Sequence, residues 1–488
     1  MVIESLKYKI LQQFGFAPTQ EQGQALDTFV SFLTDRDPQA VMILRGSAGT
    51  GKTSLSGAIV RTLLQIRQKV MLLAPTGRAA KVFSLGSGAP AYTIHRRIYR
   101  EKAFAGVDGQ FSLNDNLYTD TLFMVDEASM IANMGLGGTT FGSGCLLDDL
   151  VKFVYQGHND RLLLIGDKAQ LPPVGEEESP ALSASVMEGY GLKVYECDLN
   201  EVLRQSQSSG ILYNATLIRQ MITHDAVTGL PLVRFKGFAD IVMMPGAELV
   251  ESLGDSYHHV GMDETMVITR SNKRANIYNN GIRNMVLDRE EELSSGDMLM
   301  IVKNNYFWTE KEKKESGEGS AGAVPAFLAN GDRAKVLRVS NYIELYGFRF
   351  ATLLLQLPDY DDYEMQVTGM LDTLQSEAPA LTHEQQEALF RQVEEDYQHF
   401  VPLKADRMKS IRQDAYFNAL QIKYAYAVTC HKAQGGQWAH VYVDQGYMTD
   451  DMLTPDYIHW LYTAFTRATD KLFLVNWPKE QTCEPTDL

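Results

Sequence analysis

The chain has few cysteines and no long apolar run. Its four cysteines, among 488 residues, stand far apart with no CxxC pair, which argues against a disulfide framework and against a zinc cluster. No stretch approaches the roughly 20 consecutive apolar residues that a membrane span needs. The start of the chain, MVIESLKYKI, is charged and lacks the apolar core of a secretion signal. We expect a cytoplasmic protein that does not enter a membrane.

Basic residues are also in short supply, since the formal net charge is −16. A phosphate backbone attracts Lys and Arg, so this deficit weighs against a nucleic-acid partner at first sight. Much of the acid, however, lies in short segments at 176–180, 359–364 and 392–398. Net charge describes solubility better than it describes the lining of one groove. The charge balance therefore leaves a nucleic-acid partner open.

The stretch GSAGTGKT fits the phosphate-loop pattern G-x-x-x-x-G-K-[ST]. It follows the strand-like run VMIL (41–44) and precedes apolar residues at helical spacing. Glycines allow backbone N–H groups to surround phosphates, Lys52 reaches the β and γ phosphates, and Thr53 offers a hydroxyl to Mg²⁺. The predicted cofactors are ATP and Mg²⁺, and the predicted contact residues are Gly46, Ser47, Ala48, Gly49, Thr50, Gly51, Lys52 and Thr53.

Two later strand-like runs end in polar residues that complete an ATP site. TLFMV ends in Asp126 and Glu127, at the carboxyl end of a strand, where open α/β sheets bind ligands. Asp126 is predicted to hold Mg²⁺ together with Thr53, and Glu127 to act as general base for the attacking water. LLLIG is followed by Gln170 in GDKAQLPPVG. Gln170 is predicted to sense the γ-phosphate or to position water, although the Pro-Pro after it is equally typical of a plain turn.

These stretches belong to an ordered series: GSAGTGKT, APTGRAAK, TIHR, VDEAS, GDKAQLPPVG, LNEVLRQ, VTCHKAQGGQW and YTAFTRA. The series resembles the motif set of superfamily 1 helicases, closest to the RecD/Dda-like branch that moves 5′ to 3′. The resemblance implies that Gln22 reads adenine, with Gln20 as the alternative, and that Arg204 and Arg467 approach the γ-phosphate from a second motor domain. On the same resemblance Gly435 is assigned to the nucleotide site.

The predicted fold class is α/β, with two RecA-like parallel-sheet motor domains of the P-loop NTPase type. Short apolar runs separated by helical patterns indicate a parallel sheet buried on both faces. The first motor domain is predicted at 1–198, with a β-hairpin insertion at about 97–120 around Asp108-Gly109. The second comprises 199–296 and 421–488, and one ATP is expected between the two. Residues 297–420 are predicted to hold a small barrel, SH3-like in the family, with alternating strands at 297–308, 330–340 and 347–357 and a polar loop at 311–322. A helical segment is predicted at 381–400, and its role stays open.

The resemblance also implies a single strand held across both motor domains. The matching positions are Thr76, Arg78, Thr93, His95, Thr269, Asn272, Thr429, His431 and Lys432. Such groups grip phosphates and stack on bases without reading sequence, but any single threonine is as readily a helix cap. Phe104 and Phe111 of the hairpin are candidates for a strand-separating pin, the alternative being that they pack against their own domain.

We therefore expect an ATP-dependent helicase acting on single-stranded DNA and forked duplexes, in DNA repair or recombination, as a monomer with protein partners in repair or replication. One alternative is an ATP-switched remodelling or clamp protein without processive unwinding. Another is the helicase subunit of a nuclease complex. Polarity comes from the resemblance alone, and the choice of DNA over RNA depends on contacts at the 2′ position that a sequence does not display.

Overall fold

The computed structural model describes residues 2–104, 109–135, 142–201, 208–223, 229–316, 324–325, 327–449 and 452–483, with the side chains of 2, 3, 101–104, 109, 110, 223 and 316 excepted. By packing, the chain divides into two compact units. The first unit comprises Met1–Arg100, Ser112–Ala247 and Ala433–Leu488, and the second comprises Glu101–Phe111 and Glu248–Lys432. The predicted domains follow the sheets instead, and their boundaries stay a prediction.

The strands are, in chain order, β1 (Ala40–Gly46), β2 (Lys69–Ala74), β3 (Ala91–Thr93), β4 (Tyr99–Phe104), β5 (Gly109–Leu113), β6 (Thr121–Val125), β7 (Arg161–Gly166), β8 (Lys193–Leu199), β9 (Ile241–Met244), β10 (Thr265–Thr269), β11 (Met298–Ile301), β12 (Arg333–Leu345), β13 (Phe348–Leu357), β14 (Tyr363–Met370), β15 (Leu420–Tyr424), β16 (Ala427–Thr429), β17 (Trp438–Asp444) and β18 (Ala468–Val475).

The α-helices are α1 (Val2–Phe14), α2 (Gln20–Thr34), α3 (Lys52–Gln65), α4 (Gly77–Ser87), α5 (Ile94–Ile98), α6 (Leu146–Gln156), α7 (Ala184–Gly189), α8 (Gly210–Thr223), α9 (Leu249–His259), α10 (Asn272–Gly281), α11 (Phe307–Ser316), α12 (His383–Gln398), α13 (Lys404–Arg412), α14 (Cys430–Ala433) and α15 (Pro455–Phe465).

A six-stranded parallel sheet, in the order β3-β2-β6-β7-β1-β8, forms the centre of the first unit. Its inner strands β1, β6 and β7 are buried along their whole length, because helices cover both faces of a parallel sheet. Ile10, Phe29 and Leu55, from three helices, lie in the same apolar core as Met42 and Leu163. The predicted parallel sheet is confirmed, with β3 and β8 added at its two edges.

Parallel strands recur in the second half of the chain, as predicted. In the first unit, β18 pairs with β17 on one side and with β9 on the other. In the second unit, β10 pairs with β16. All of these pairs are parallel, and β9 is the strand that the sequence pattern did not indicate.

A closed barrel of β11, β12, β13, β14 and β15 lies in the second unit. Neighbouring strands pair antiparallel except β14 with β15, which are parallel. The barrel is thus confirmed as a closed small barrel, and β15 carries it past the predicted limit at residue 420. The prediction of a strand over 297–308 is wrong in its second part, because β11 ends at Ile301 and helix α11 begins at Phe307.

The segment predicted as helical at 381–400 forms α12, which begins with a capping box at Thr382 and Gln385. Its apolar side, with Leu389 and Val393, packs together with Ile411 of α13 against Phe350 of the barrel. The two helices therefore cover barrel residues that would otherwise meet water. Of the stretch 311–322, predicted as a polar loop, residues 311–316 belong to α11 and the remainder lies outside the described residues.

Strands β4 and β5 pair as a two-stranded sheet at the predicted hairpin. Asp108 and the side chain of Phe104 lie outside the described residues. The ring of Phe111 lies 4.9 Å from the ring of Tyr306, which stacks in turn on Phe327 at 4.7 Å. Phe111 thus packs within its own unit, and its role as a pin stays a prediction.

All four cysteines are free. Among the helices in the described part of the chain, none combines the length and the apolar character needed to cross a bilayer.

Candidate nucleotide-binding site

The phosphate loop follows the buried strand β1 and ends at the first residue of α3. Gly49 and Gly51 have φ angles of 78° and 79°, a left-handed conformation that side chains other than glycine rarely adopt. A Cβ atom at Gly46 would lie 2.7 Å from Cγ of Lys52 and 2.9 Å from Oγ1 of Thr50. The three glycines of the loop are therefore required by the backbone path, and a cradle of this shape fits a phosphate group.

The side chain of Lys52, which is predicted to bind phosphate, lies against the backbone of its own loop. Its Nζ donates to the carbonyl oxygen of Gly46 and lies 3.5 Å from that of Ser47. The loop is further held by Gln22, whose Nε2 donates to the carbonyl of Thr50 at 2.9 Å while its Oε1 accepts from the backbone N–H of Thr19 at 3.0 Å. Gln22 is 1% exposed. The structure thus places Gln22 directly behind the loop, as part of a helix cap.

Asp126 and Glu127 stand at the carboxyl end of β6, as predicted. Glu127 has a φ angle of 52°. Its backbone N–H donates a hydrogen bond to the carboxylate of Asp126 at 2.9 Å. A non-glycine residue in this conformation is strained, as is frequent in active sites. Burial raises the pKa of Asp126, the charge of Glu127 raises it further, and the nearby charge of Lys52 lowers it. The two carboxyl groups and Lys52 therefore act on one another electrostatically.

The donor set suits a magnesium ion, since a hydroxyl and a carboxylate are the hard oxygen ligands that Mg²⁺ prefers. Thr53, in the first turn of α3, and Asp126 would hold it. When bound, the ion neutralises charge on the phosphates. Among the described residues no group of three or more His, Cys, Asp or Glu side chains that could hold a metal ion occurs.

The loop after β7 carries Gln170 and is held by helix α15. His459 Nδ1 lies 2.9 Å from the carbonyl oxygen of Ala169, and Thr463 Oγ1 accepts from the N–H of Leu171 at 2.8 Å. Gln170 is 6% exposed, and its Oε1 has no hydrogen-bond partner among the residues that the structure describes. A buried amide oxygen without a partner is costly and fits a group that orients water in the bound state.

Two residues that the sequence motifs did not single out contact the phosphate loop. Tyr462 Oη accepts from the N–H of Ala48 at 2.9 Å and donates to Asp167 at 2.6 Å. Arg219 Nη1 donates to Oγ of Ser47 at 2.6 Å. Tyr462 lies inside YTAFTRA and could have been found there, whereas Arg219 is one of several helical residues in α8 and carries no pattern.

Replacing Tyr462 with Phe should loosen the phosphate loop. Burial raises the pKa of Tyr462, and the neighbouring charge of Asp167 raises it further, so the hydroxyl stays protonated and keeps donating. Its loss leaves a buried carboxylate oxygen and the Ala48 N–H with one partner fewer, at a cost of about 1–3 kcal/mol in the free energy of unfolding. We expect urea denaturation to show a fall of that size in the free energy of unfolding. We also expect a severalfold rise in KM for ATP.

Tyr457→Phe is the control for that variant. Tyr457 lies on the same helix and donates to Gln445 at 2.5 Å, away from the phosphate loop. It should lose stability while its KM for ATP stays that of the parent protein. Equal KM values for both variants would show that the hydroxyl of Tyr462 does not act on the loop.

Of the two arginines predicted from the resemblance, the structure describes only Arg467. Arg204 lies outside the described residues. Arg467 is 3% exposed, and its guanidinium donates to the carbonyl oxygens of Thr463 and Gly436, both at 3.1 Å. Its approach to a γ-phosphate stays a prediction.

The strand-binding candidates in the first unit lie around the start of α4 and α5. Thr76 and Thr93 cap those helices, accepting from backbone N–H groups at 3.2 Å and 3.4 Å. Arg78 donates to the carbonyl of Gln437 at 2.6 Å and lies 4.5 Å above the ring of Trp438. A Cβ atom at Gly435 would lie 3.1 Å from Oγ1 of Thr76. Gly435 is thus grouped with Thr76, although we predicted it at the nucleotide.

His95, the remaining strand-binding candidate of the first unit, carries a neutral ring. Burial lowers the pKa of His95 to about 4, and its ring centroid lies 5.7 Å from that of Tyr99. An uncharged imidazole is suited to stacking on a base rather than to pairing with a phosphate.

The remaining candidates lie in the second unit, on β10, α10, β16 and α14. Thr269 Oγ1 donates to the carbonyl of Ser271 at 3.1 Å, and Asn272 begins α10. Thr429 ends β16, and His431 and Lys432 follow in α14.

Burial, and to a lesser degree the charge of Lys423, lowers the pKa of Lys432 to about 8. The second unit thus holds two lysines close enough to repel each other, a pair that an anion would stabilise.

Two family models match this chain, in the order of the predicted motifs. Residues 17–229 match the AAA domain, and residues 424–475 match the UvrD-like helicase C-terminal domain. The chain is similar to superfamily 1 helicases, and its relatives include members of the RecD/Dda-like branch. The two matches contain the phosphate loop, both carboxylates, Gln170, Arg467 and the contacting Tyr462.

Two DNA helicases are similar to parts of this chain. The ATP-dependent RecD2 DNA helicase of Deinococcus radiodurans is 30% identical over 157 residues, which are 32% of this chain and 18% of that protein. The ATP-dependent DNA helicase dda of Enterobacteria phage T4 is 26% identical over 267 residues, 53% of this chain and 55% of that protein.

Among solved structures, the Pif1 helicase from Bacteroides in complex with ADP-AlF3 and ssDNA is similar over 96% of this chain and 95% of that one, at 13% identity and a TM-score of 0.47.

Proposed function

We propose that this protein is an ATP-dependent DNA helicase that moves along single-stranded DNA, 5′ to 3′, and separates duplex strands. The observation that carries the proposal is the meeting, within the first unit, of the phosphate loop, the Asp126–Glu127 pair and a Gln170 loop held by α15. Each is a part that ATP hydrolysis requires. Helicase relatives of the same branch support DNA as the second substrate.

Chemistry at this site follows from the residues present. Backbone N–H groups of the loop and Lys52 would bind the phosphates, Thr53 and Asp126 would hold Mg²⁺, and Glu127 would take a proton from the attacking water. Arg204 and Arg467 are proposed to reach the γ-phosphate when the predicted motor domains close. An arginine that arrives only on closure stabilises transition-state charge only then, so hydrolysis becomes coupled to movement.

The strand is proposed to contact the candidate positions of both units. Capping hydroxyls, Asn272 and Lys432 would grip phosphates, and His95 would stack on a base. The grip is independent of sequence because it uses the backbone.

A forked duplex tests the function and its polarity together. One substrate carries a 5′ single-stranded overhang and a matched one carries a 3′ overhang, each with a labelled strand. The proposal expects ATP-dependent displacement from the 5′ overhang substrate alone. Displacement from the 3′ overhang would reverse the polarity. Translocation on a single strand without displacement from either fork would favour the alternative of a remodelling or clamp protein.

The affinity for single-stranded DNA should fall as pH rises from 7 to 9. Lys432 is protonated and positive below its pKa of about 8, so it attracts phosphate at pH 7 and has largely lost its charge at pH 9. Lys432→Arg, whose guanidinium stays charged, should flatten the profile. Fluorescence anisotropy at fixed ionic strength measures both proteins. Superimposable pH profiles would exclude Lys432 from the contact.

A further inference from the structure

The phosphate loop is contacted by a cation that its sequence motif does not contain. Arg219, on α8, donates from Nη1 to the hydroxyl of Ser47 at 2.6 Å and to Oδ1 of Asn200 at 3.3 Å. Ser47 is the second residue of the loop and is 7% exposed. The guanidinium of Arg219 therefore contacts the phosphate loop directly, although α8 is far from the loop in sequence.

Lys52 shows which end of the nucleotide Arg219 would meet. Nζ of Lys52 lies 3.5 Å from the carbonyl oxygen of Ser47, so the two cations converge on the same residue. The lysine of a phosphate loop reaches the β and γ phosphates. A second cation on the same residue consequently faces the outer end of the phosphate chain rather than the nucleoside.

Charge around Arg219 agrees with this position. Tyr462, whose hydroxyl contacts the next residue of the loop, has a pKa that burial raises most, and the charge of Arg219 acts in the opposite direction. Arg219 thus contacts Ser47 directly and acts electrostatically on the Tyr462 hydroxyl that binds Ala48. Arginine offers a planar fork of donors that matches phosphate oxygens.

We propose that Arg219 binds the γ-phosphate of ATP, in addition to its contact with Ser47, and so lets the site distinguish ATP from ADP. The proposal rests on the proposed function as an ATPase. It gives α8 a direct role in sensing the nucleotide state. The competing explanation is that Arg219 only ties α8 to the loop.

Nucleotide binding separates these two explanations. Fluorescent ADP and a non-hydrolysable ATP analogue, each with Mg²⁺, are titrated into the full chain carrying Arg219→Gln. Loss of a charge-assisted contact should weaken the ATP analogue by about 10- to 100-fold and leave ADP within a factor of about two. Arg219→Lys keeps the charge without the fork and should lie between Gln and the parent protein.

Arg234→Gln is the matched control. Its guanidinium lies 5.5 Å from the ring of Tyr213 on α8 and 5.7 Å from that of Phe238, so it supports the same helix without contacting the loop. It should lower the melting temperature while preserving the ratio of the two affinities. An unchanged ratio in both Arg219 variants, with folded protein by circular dichroism, overturns the proposal, and so does an equal loss for both nucleotides.

Hydrolysis is measured beside binding, which keeps this proposal distinct from the proposed function. Arg219→Gln should reduce kcat by about 10³-fold, the lower range for an arginine acting on a transferred phosphoryl group. If the parent protein hydrolyses no ATP in the presence of single strands, the proposed function fails, while the affinity ratio still decides on Arg219.

Discussion

Glu127→Gln should reduce ATP turnover by about 10²- to 10⁴-fold, the usual contribution of a general base, and should leave ATP binding intact. Glutamine keeps the size of the side chain but cannot take the proton from water. Binding should persist because the proposed phosphate contacts come from the loop backbone and Lys52, and because Thr53 and Asp126 are still present to hold Mg²⁺.

Steady-state phosphate release and fluorescent-nucleotide titration measure the two properties separately. Glu188→Gln, the same change at an exposed residue of α7, serves as the control and should match the parent protein in both. Turnover retained by Glu127→Gln would remove Glu127 from the role of base.

Lys52→Ala has the second large effect, and it acts on binding as well as on turnover. The ammonium that lies on the carbonyl oxygen of Gly46 is replaced by a methyl group, and the phosphates lose a charged donor. We expect ATP affinity to fall by about 10- to 100-fold and kcat by about 10²- to 10³-fold, as for loss of one preorganised donor.

Isothermal titration calorimetry gives the affinity of the Lys52 variant. Lys152→Ala, which removes a surface lysine paired with Asp148 on α6, should leave affinity and turnover unchanged. A parental affinity in Lys52→Ala would mean that the loop binds something other than a triphosphate.

Much of the site could be predicted because its parts are local in sequence. The phosphate loop and the Asp126–Glu127 pair each combine a strand, a turn and a polar residue within a short window, and a buried parallel strand has an unmistakable apolar pattern. Gln170 was predicted in the same way, because it follows the strand-like run LLLIG. The barrel was predictable from its alternating strands and turns.

Contacts between distant segments could not be predicted. The hydrogen bond from Ala48 to Tyr462 joins residues 414 positions apart, and that from Arg219 to Ser47 joins residues 172 apart. Neither contact produces a periodic pattern in the sequence from which it could be predicted.

Local pattern also misled over residues 302–308, where the apolar stretch near Trp308 was assigned to a strand. Trp308 instead lies in helix α11 and donates from its indole N–H to the carbonyl of Asn418 at 2.9 Å. Tertiary packing decided between strand and helix there.

The hydrolysis rate of ATP, measured with and without a single-stranded DNA oligomer at fixed Mg²⁺, tests the central claim that one nucleotide site is coupled to a bound strand. The account predicts a low rate in the protein alone and a rate that rises to saturation as the oligomer is added. A rate indifferent to the oligomer, in protein that binds both ATP and the strand, would contradict it.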